Sequence, residues 1–179
     1  MRFRCSTLIA LALGLSSAWA QAQTTAGGAF PNKPIKAIVP FAPGSATDQI
    51  GRAFVQKMSE NLGQPIVVRN MAGAGQRIGT EALAKAPKDG YTLGVATVST
   101  TAANPAINPK NPYNPITDFT PIINIAATPN VIAVHPSFPA RNYKDFVAEL
   151  KKSPGKYSYA SSGTGGIGHL QTELWKSLQ

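Results

Sequence analysis

The stretch from Lys33 to Phe54, KPIKAIVPFAPGSATDQIGRAF, changes its period half-way along. IKAIVPF is a short apolar run with β-branched residues, the pattern of a buried strand. The run breaks at Pro43-Gly44. From Ala46 onward the apolar residues recur at helical spacing, with Ile50, Phe54, Met58 and Leu62 each four apart and Gly63 placed to end the helix. That stripe is core packing and carries no function. A strand that turns tightly into a helix is half of a βαβ unit, and the alternation continues down the chain. PIVVRN, YTLGVAT, VIAVHP and YSYAS read as strands, while Thr80 to Ala86, Tyr143 to Lys152 and Gly168 to Leu178 read as helices. This order predicts an α/β fold with a mostly parallel sheet.

The turn itself carries chemistry. Ser45 and Asp48 have the spacing of a capping box, in which the serine caps the first turn and the carboxylate answers back. In open α/β sheets, ligands bind beyond the carboxyl ends of the strands, where helix N-termini offer free amides and a positive dipole end. The junction suits a carboxylate or phosphate. The charge of Asp48 already satisfies part of that dipole, so a capped helix without a ligand fits the same residues. A second anion cradle lies in YASSGTGGIGHLQTELW, where the hydroxyls of Ser161, Ser162 and Thr164 join a glycine-rich turn ahead of a helix bearing His169.

A third junction, VVRNMAGAGQRIGTEALAKA, places Gly73, Gly75 and Gly79 near a dinucleotide fingerprint, with the third glycine one residue late. An acidic residue to hold a ribose is missing from the end of YTLGVAT. Two uses remain open for this turn: an exported nucleotide-dependent enzyme, or close packing of chain against chain. Catalysis has little else to build on. G-x-S-x-G is absent, His135 and His169 are the two histidines, and neither H-E-x-x-H nor a paired-carboxylate pattern accompanies them. The sequence thus predicts no catalytic residue, no metal site and no cofactor.

The ends set the compartment. MRFRCSTLIALALGLSSAWAQAQ has Arg2 and Arg4, an apolar run from Leu8 to Leu15 and then small residues, which is the pattern of a secretory signal peptide over residues 1–20. Cys5, the single cysteine, falls inside it, so the mature chain has no disulfide and must rely on its core. Losing Arg2 and Arg4 lowers the formal charge from +9 to +7. The remaining basic residues are scattered, with one pair at Lys151-Lys152, rather than set in the aromatic-interleaved stripe that nucleic acid requires. A small anionic ligand is the better partner. Between Asn104 and Pro121, four Asn-Pro steps predict an ordered connection made of turns, anchored by Ile107, Tyr113, Ile116 and Phe119. Leu170, Leu174, Trp175 and Leu178 form an apolar helix face that runs to Gln179 with no stop signal.

Together, PNKPIKAIVPFAPGSATD, AGAGQRIGTEALAKAPKDGYTL, NPYNPITDFTPI and YASSGTGGIGHLQTELW resemble the Bug family, the extracytoplasmic solute receptors of tripartite tricarboxylate transporters. The resemblance covers nearly all of Phe30 to Leu178. It implies a type II periplasmic binding protein-like fold, with two lobes of mostly parallel sheet that close on a small organic carboxylate. The ligand then passes to membrane subunits. In this family the ligand is held between the lobes by backbone amides, hydroxyls and bridging waters of two loops. By that resemblance the ligand-binding residues are Phe41, Gly44, Ser45, Thr47 and Asp48 from the first loop, with Ser162, Gly163, Thr164, Gly165 and His169 from the second. The chain departs from the family where Ser45 and Gln76 replace glycines and where Gly166 stands at a position commonly Ser or Thr. Family members also run to roughly twice the mature length. Residues 30–125 are then expected to form the first lobe, and 126–179 the start of a second, incomplete one. A truncated remnant without function is a further alternative. If the signal peptide reading holds, N-terminal sequencing of the exported protein will begin at Gln21.

Overall fold

The computed structural model describes residues 28–179, so the expected signal peptide lies outside the described residues. Contacts divide the chain into Met1–Asn32 and Lys33–Gln179. Of the first unit only its last five residues are described, with the Asn32 side chain donating to the Gly28 carbonyl at 3.2 Å. The second unit carries the fold.

Its sheet has three strands, β1 (Ile35–Val39), β2 (Ile66–Asn70) and β3 (Thr92–Gly94), in the order β2-β1-β3 and all parallel. The register sets Ile35 opposite Ile66, and Ala37 opposite both Val68 and Leu93. β1 is central and buried at Ile35, Ala37, Ile38 and Val39, as its unbroken apolar run requires. Helix α1 (Ala46–Leu62) links β1 to β2, and α2 (Arg77–Ala84) links β2 to β3. The two helices cover opposite faces. Val39 and Val95 reach toward Gly51 of α1, while Pro40 lies against Gly79 of α2 and Gly94 against Leu83 of α2. Neighbouring residues along each strand thus point to different helices, which is the period-two rule of a doubly covered sheet. β2 and β3 leave β1 in opposite directions, so the C-terminal end of β1 faces a topological switch point.

Local signals set the helix ends. Ser45 caps α1 by accepting from the Asp48 amide at 3.2 Å, and Gly63 closes it in the left-handed conformation. The expected four-residue stripe is rotated: Asp48, Gly51 and Val55 are the buried positions, and Ile50, Phe54 and Met58 flank them half-buried. Gly51 explains the shift, because a Cβ there would sit 3.1 Å from Val95, and its absence lets the helix settle deeper on that side. α2 starts three residues earlier than its periodicity suggests, directly from a one-turn 3-10 segment at Ala74–Gln76.

The Asn-Pro segment is built of turns, with Asn108 and Asn114 side chains accepting from amides two residues on. Tyr113 anchors it, buried with its hydroxyl donating to the Thr100 carbonyl at 2.6 Å and its ring edge-on to Phe119. Ile107 and Ile116 remain exposed. One Asn-Pro step departs from the expected turn. Asn104-Pro105 lies in the short helix α3 (Asn104–Ile107), which continues directly from the helical segment Ser99–Ala103.

Helices α4 (Tyr143–Lys152) and α5 (Ile167–Ser177) meet through aromatic rings. Phe146 and Tyr143 both contact Trp175, whose indole N–H donates to the Tyr143 hydroxyl at 2.7 Å, and Phe138 bridges Phe146 to Tyr157. The strands expected at VIAVHP and YSYAS do not form. Val131, Ile132, Val134 and Tyr159 stay exposed. Their composition suits a sheet, but a strand exists only by exchanging hydrogen bonds with a neighbour, and none of the described residues pairs with these segments.

Gly79 tests this packing. A Cβ there would stand 2.6 Å from the Met71 carbonyl oxygen and 2.9 Å from Pro40, both fixed backbone. Gly79→Ala is expected to lower stability by about 1–3 kcal/mol, read as a lower urea midpoint at unchanged slope.

Candidate functional site

Beyond the C-terminal ends of β1 and β2 the chain forms a cleft of about 730 Å³. Its walls come from three sources: Phe41, Ala42 and Ser45 after β1; Gly73 to Arg77 after β2; and Asn104, Asn108, Ser162 to Gly165 and His169 from later in the chain. This is where an open α/β sheet places a ligand.

Seven of the ten residues expected to hold a ligand line this cleft: Phe41, Ser45, Ser162, Gly163, Thr164, Gly165 and His169. Gly44, Thr47 and Asp48 lie outside its lining, and the reason is visible at Asp48. Its side chain is 3% exposed, and its carboxylate accepts from the Gly44 amide at 2.8 Å, the Arg52 Nε at 3.0 Å and the Asn70 Nδ2 at 2.8 Å. The box closes on Gly44 rather than on the cap residue, because the Ser45 amide donates instead to the Ala42 carbonyl. The Gly44 N–H and the Asp48 charge, both expected to face a ligand, satisfy each other. Asn70 extends the network by donating to the Phe41 carbonyl at 3.0 Å and accepting from Arg52 at 2.8 Å.

Across the cleft, the Gly73 to Gln76 turn packs directly on the Ser162 to Gly166 loop. Ala74, Gly75 and Gln76 are all left-handed in sequence, with φ of 48°, 64° and 73°. Gly75 has no room for a side chain, since a Cβ would lie 2.5 Å from the Thr164 carbonyl oxygen. The glycines of this turn therefore serve close approach between segments. Gln76 is 3% exposed and donates through Nε2 to the Ser162 carbonyl at 2.7 Å. Asn104, equally buried, donates to the Gly75 carbonyl. Ser99 accepts from the Ile167 amide at 3.0 Å and so occupies one of the first-turn donors of α5. His169 accepts a long bond of 3.5 Å from the Gly165 amide at Nδ1 and stacks on Tyr159.

Sequence reading missed Gln76, Arg77, Asn104 and Asn108 as wall residues. Only Gln76 left a signal, as a side chain where the family resemblance has glycine.

The family model described as the tripartite tricarboxylate transporter family receptor matches residues 50–179. The chain belongs to this family. Among curated relatives, BugT of Bordetella pertussis is 37% identical over 148 residues, covering 82% of this chain and 45% of BugT. Three solved structures align over 83–84% of the chain and 50–51% of their own length. One described as a periplasmic transporter is 58% identical with a TM-score of 0.82. The R. palustris protein Rpa4515, solved with adipate, is 36% identical with a TM-score of 0.78. MatC from Rhodopseudomonas palustris, with bound malate, is 32% identical with a TM-score of 0.78. The chain spans about half the length of the curated relatives it matches. The family matched is a transporter receptor family, and a further solved relative is described as the periplasmic binding protein BugD.

The Asp48 network has a pH signature. The Arg52 side chain, then Asn70 and the Gly44 amide, hold its pKa down to about 2. A carboxylate with a depressed native pKa stabilises the fold above its unfolded pKa, and that stabilisation is lost as pH falls toward the native one. Stability should therefore drop as pH falls from about 4 to about 2. In Asp48→Asn, acid titration followed by circular dichroism should show a shallower drop over that window from a lower starting stability.

Proposed function

We propose that this protein is a periplasmic receptor that captures a small organic carboxylate and delivers it, chemically unchanged, to the membrane subunits of a tripartite transporter. In this reading residues 30–125 belong to a first lobe and 126–179 begin a second, with the signal peptide directing export. Phe41, Ser45, Ser162, Gly163, Thr164, Gly165 and His169 contribute to the ligand cradle.

The observation that carries the carboxylate is the charge of the cleft wall. Arg77 and His169 line it, and neither Asp nor Glu does. The Asp48 carboxylate, the nearest acidic group in sequence to the first loop, is neutralised by Arg52 and turned into the fold. A wall with a guanidinium and no competing carboxylate favours an anion and disfavours a cation. Arg77 spends its Nε on the Ala74 carbonyl at 3.1 Å, which steadies the guanidinium at the cleft. Adipate in one related structure and malate in another support a C4 to C6 dicarboxylate as the ligand class.

Isothermal titration of the purified protein with C4 to C6 dicarboxylates tests this. Saturable binding of at least one, with no response to the matching diamide, is the expected result. Binding of none of them, or equal binding of the diamide, would overturn the reading. Arg77→Ala should weaken the dicarboxylate about tenfold, the scale of one charge-assisted hydrogen bond, with thermal unfolding little changed.

A further inference from the structure

We infer that Gln76 is a positioning residue: its side chain ties the two walls of the cleft together and orders the Ser162 to Gly166 loop before a ligand arrives. The inference rests on the receptor reading above. The loop is weakly fixed by its own makeup, since Gly163, Gly165 and Gly166 leave its backbone free and Ser162 and Thr164 are exposed. Its internal bonds give it a shape without fixing it to the opposite wall. The Gly163 amide donates to the Ser161 Oγ at 3.3 Å, the Gly165 amide to the His169 Nδ1 at 3.5 Å, and the Gly166 amide to the Gly163 carbonyl at 3.1 Å.

Among the described residues, two hydrogen bonds join residues 161–167 to earlier parts of the chain. Ser99 accepts from the Ile167 amide at 3.0 Å, where the loop enters α5. At the other end, Gln76 Nε2 donates to the Ser162 carbonyl at 2.7 Å, across 86 residues of sequence. The loop also wraps the amide that holds it. A Cβ on Gly163 would stand 3.5 Å from Nε2, and one on Gly166 would stand 3.4 Å from Oε1 and 3.3 Å from the Ser162 Oγ. Gln76 is accordingly 3% exposed. It is held at φ 73°, a conformation that glutamine seldom adopts and glycine adopts freely. Such strain persists where the surroundings over-determine it, as this clasp does. A loop that must be ordered on binding takes that cost out of the affinity, whereas one ordered beforehand does not. Ser162, Gly163, Thr164 and Gly165 line the cleft, so Gln76 acts on a ligand through them.

The test uses two variants. Gln76→Gly removes the side chain and relieves the backbone, and Gln76→Met keeps the length but has no donor. Each is titrated with C4 to C6 dicarboxylates at a temperature where thermal unfolding shows it folded. Amide hydrogen exchange of residues 161–167 is followed by mass spectrometry with and without ligand. Both variants are expected to bind about three- to tenfold more weakly than wild type, with the order of preference among ligands unchanged. Loop exchange should be faster than wild type in the ligand-free variants and return to the wild-type rate once ligand is bound. Wild-type affinity in both variants overturns the inference, whatever happens to their stability. Loop exchange as slow as wild type in the ligand-free variants overturns it too. A loss confined to some ligands of the panel does the same, because it marks a direct contact. All three outcomes leave the receptor reading intact. Binding of none of the panel by the wild type takes down that reading and the inference with it.

Discussion

Three donors converge on the carboxylate of Asp48, and they come from three different places in the chain: the Gly44 amide in the turn, Arg52 one helical turn along α1, and Asn70 at the end of β2. Asn70 also reaches the carbonyl of Phe41, the second residue beyond β1. The end of one strand, the end of its neighbour and the start of the intervening helix are thereby tied to a single buried charge. A buried carboxylate is tolerable only when its lone pairs are met, so the group holds the loop to one geometry. That geometry sets Phe41, Ala42 and Ser45 along the cleft.

The opposite wall is held by close approach rather than by charge. Gly75 meets the Thr164 carbonyl where a methyl group would collide, and Gly79 lies against Pro40 and Met71. Buried amides of Gln76 and Asn104 then fasten the contact. The two walls differ in how they are tied. On the first, the turn amide and the acidic side chain satisfy one another. On the second, the Gln76 amide is clasped by a loop 86 residues away.

How far the site could be read in the sequence follows from the distance over which each bond acts. The Ser45 cap spans three residues, and Asn142 caps α4 by accepting from Asp145, also three residues on. Such bonds are written in a local pattern. The Asn70 bond to Asp48 spans 22 residues, the Asn104 bond to Gly75 spans 29, and the Gln76 bond to Ser162 spans 86. Nothing near Asn70 or Asn104 marks either as a closing partner. The strand expected at VIAVHP failed for the same reason: its side chains suit a sheet, but pairing is a property of two segments.

By itself the sequence determined helices α1, α2, α4 and α5, the Ser45 cap and Gly63 stop of α1, the parallel α/β plan and the kinship with tripartite transporter receptors. These rest on periodicity, on turn chemistry and on motifs kept in order along the chain. Only the tertiary structure decided which polar groups remain for a ligand. The Asp48 carboxylate and Gly44 amide, both exposed-looking in a turn sequence, cancel in the fold, while Gln76, Arg77 and Asn104 become wall. A hydrogen-bonding group has a fixed number of partners, and whether it is already spent depends on what the rest of the chain brings to it.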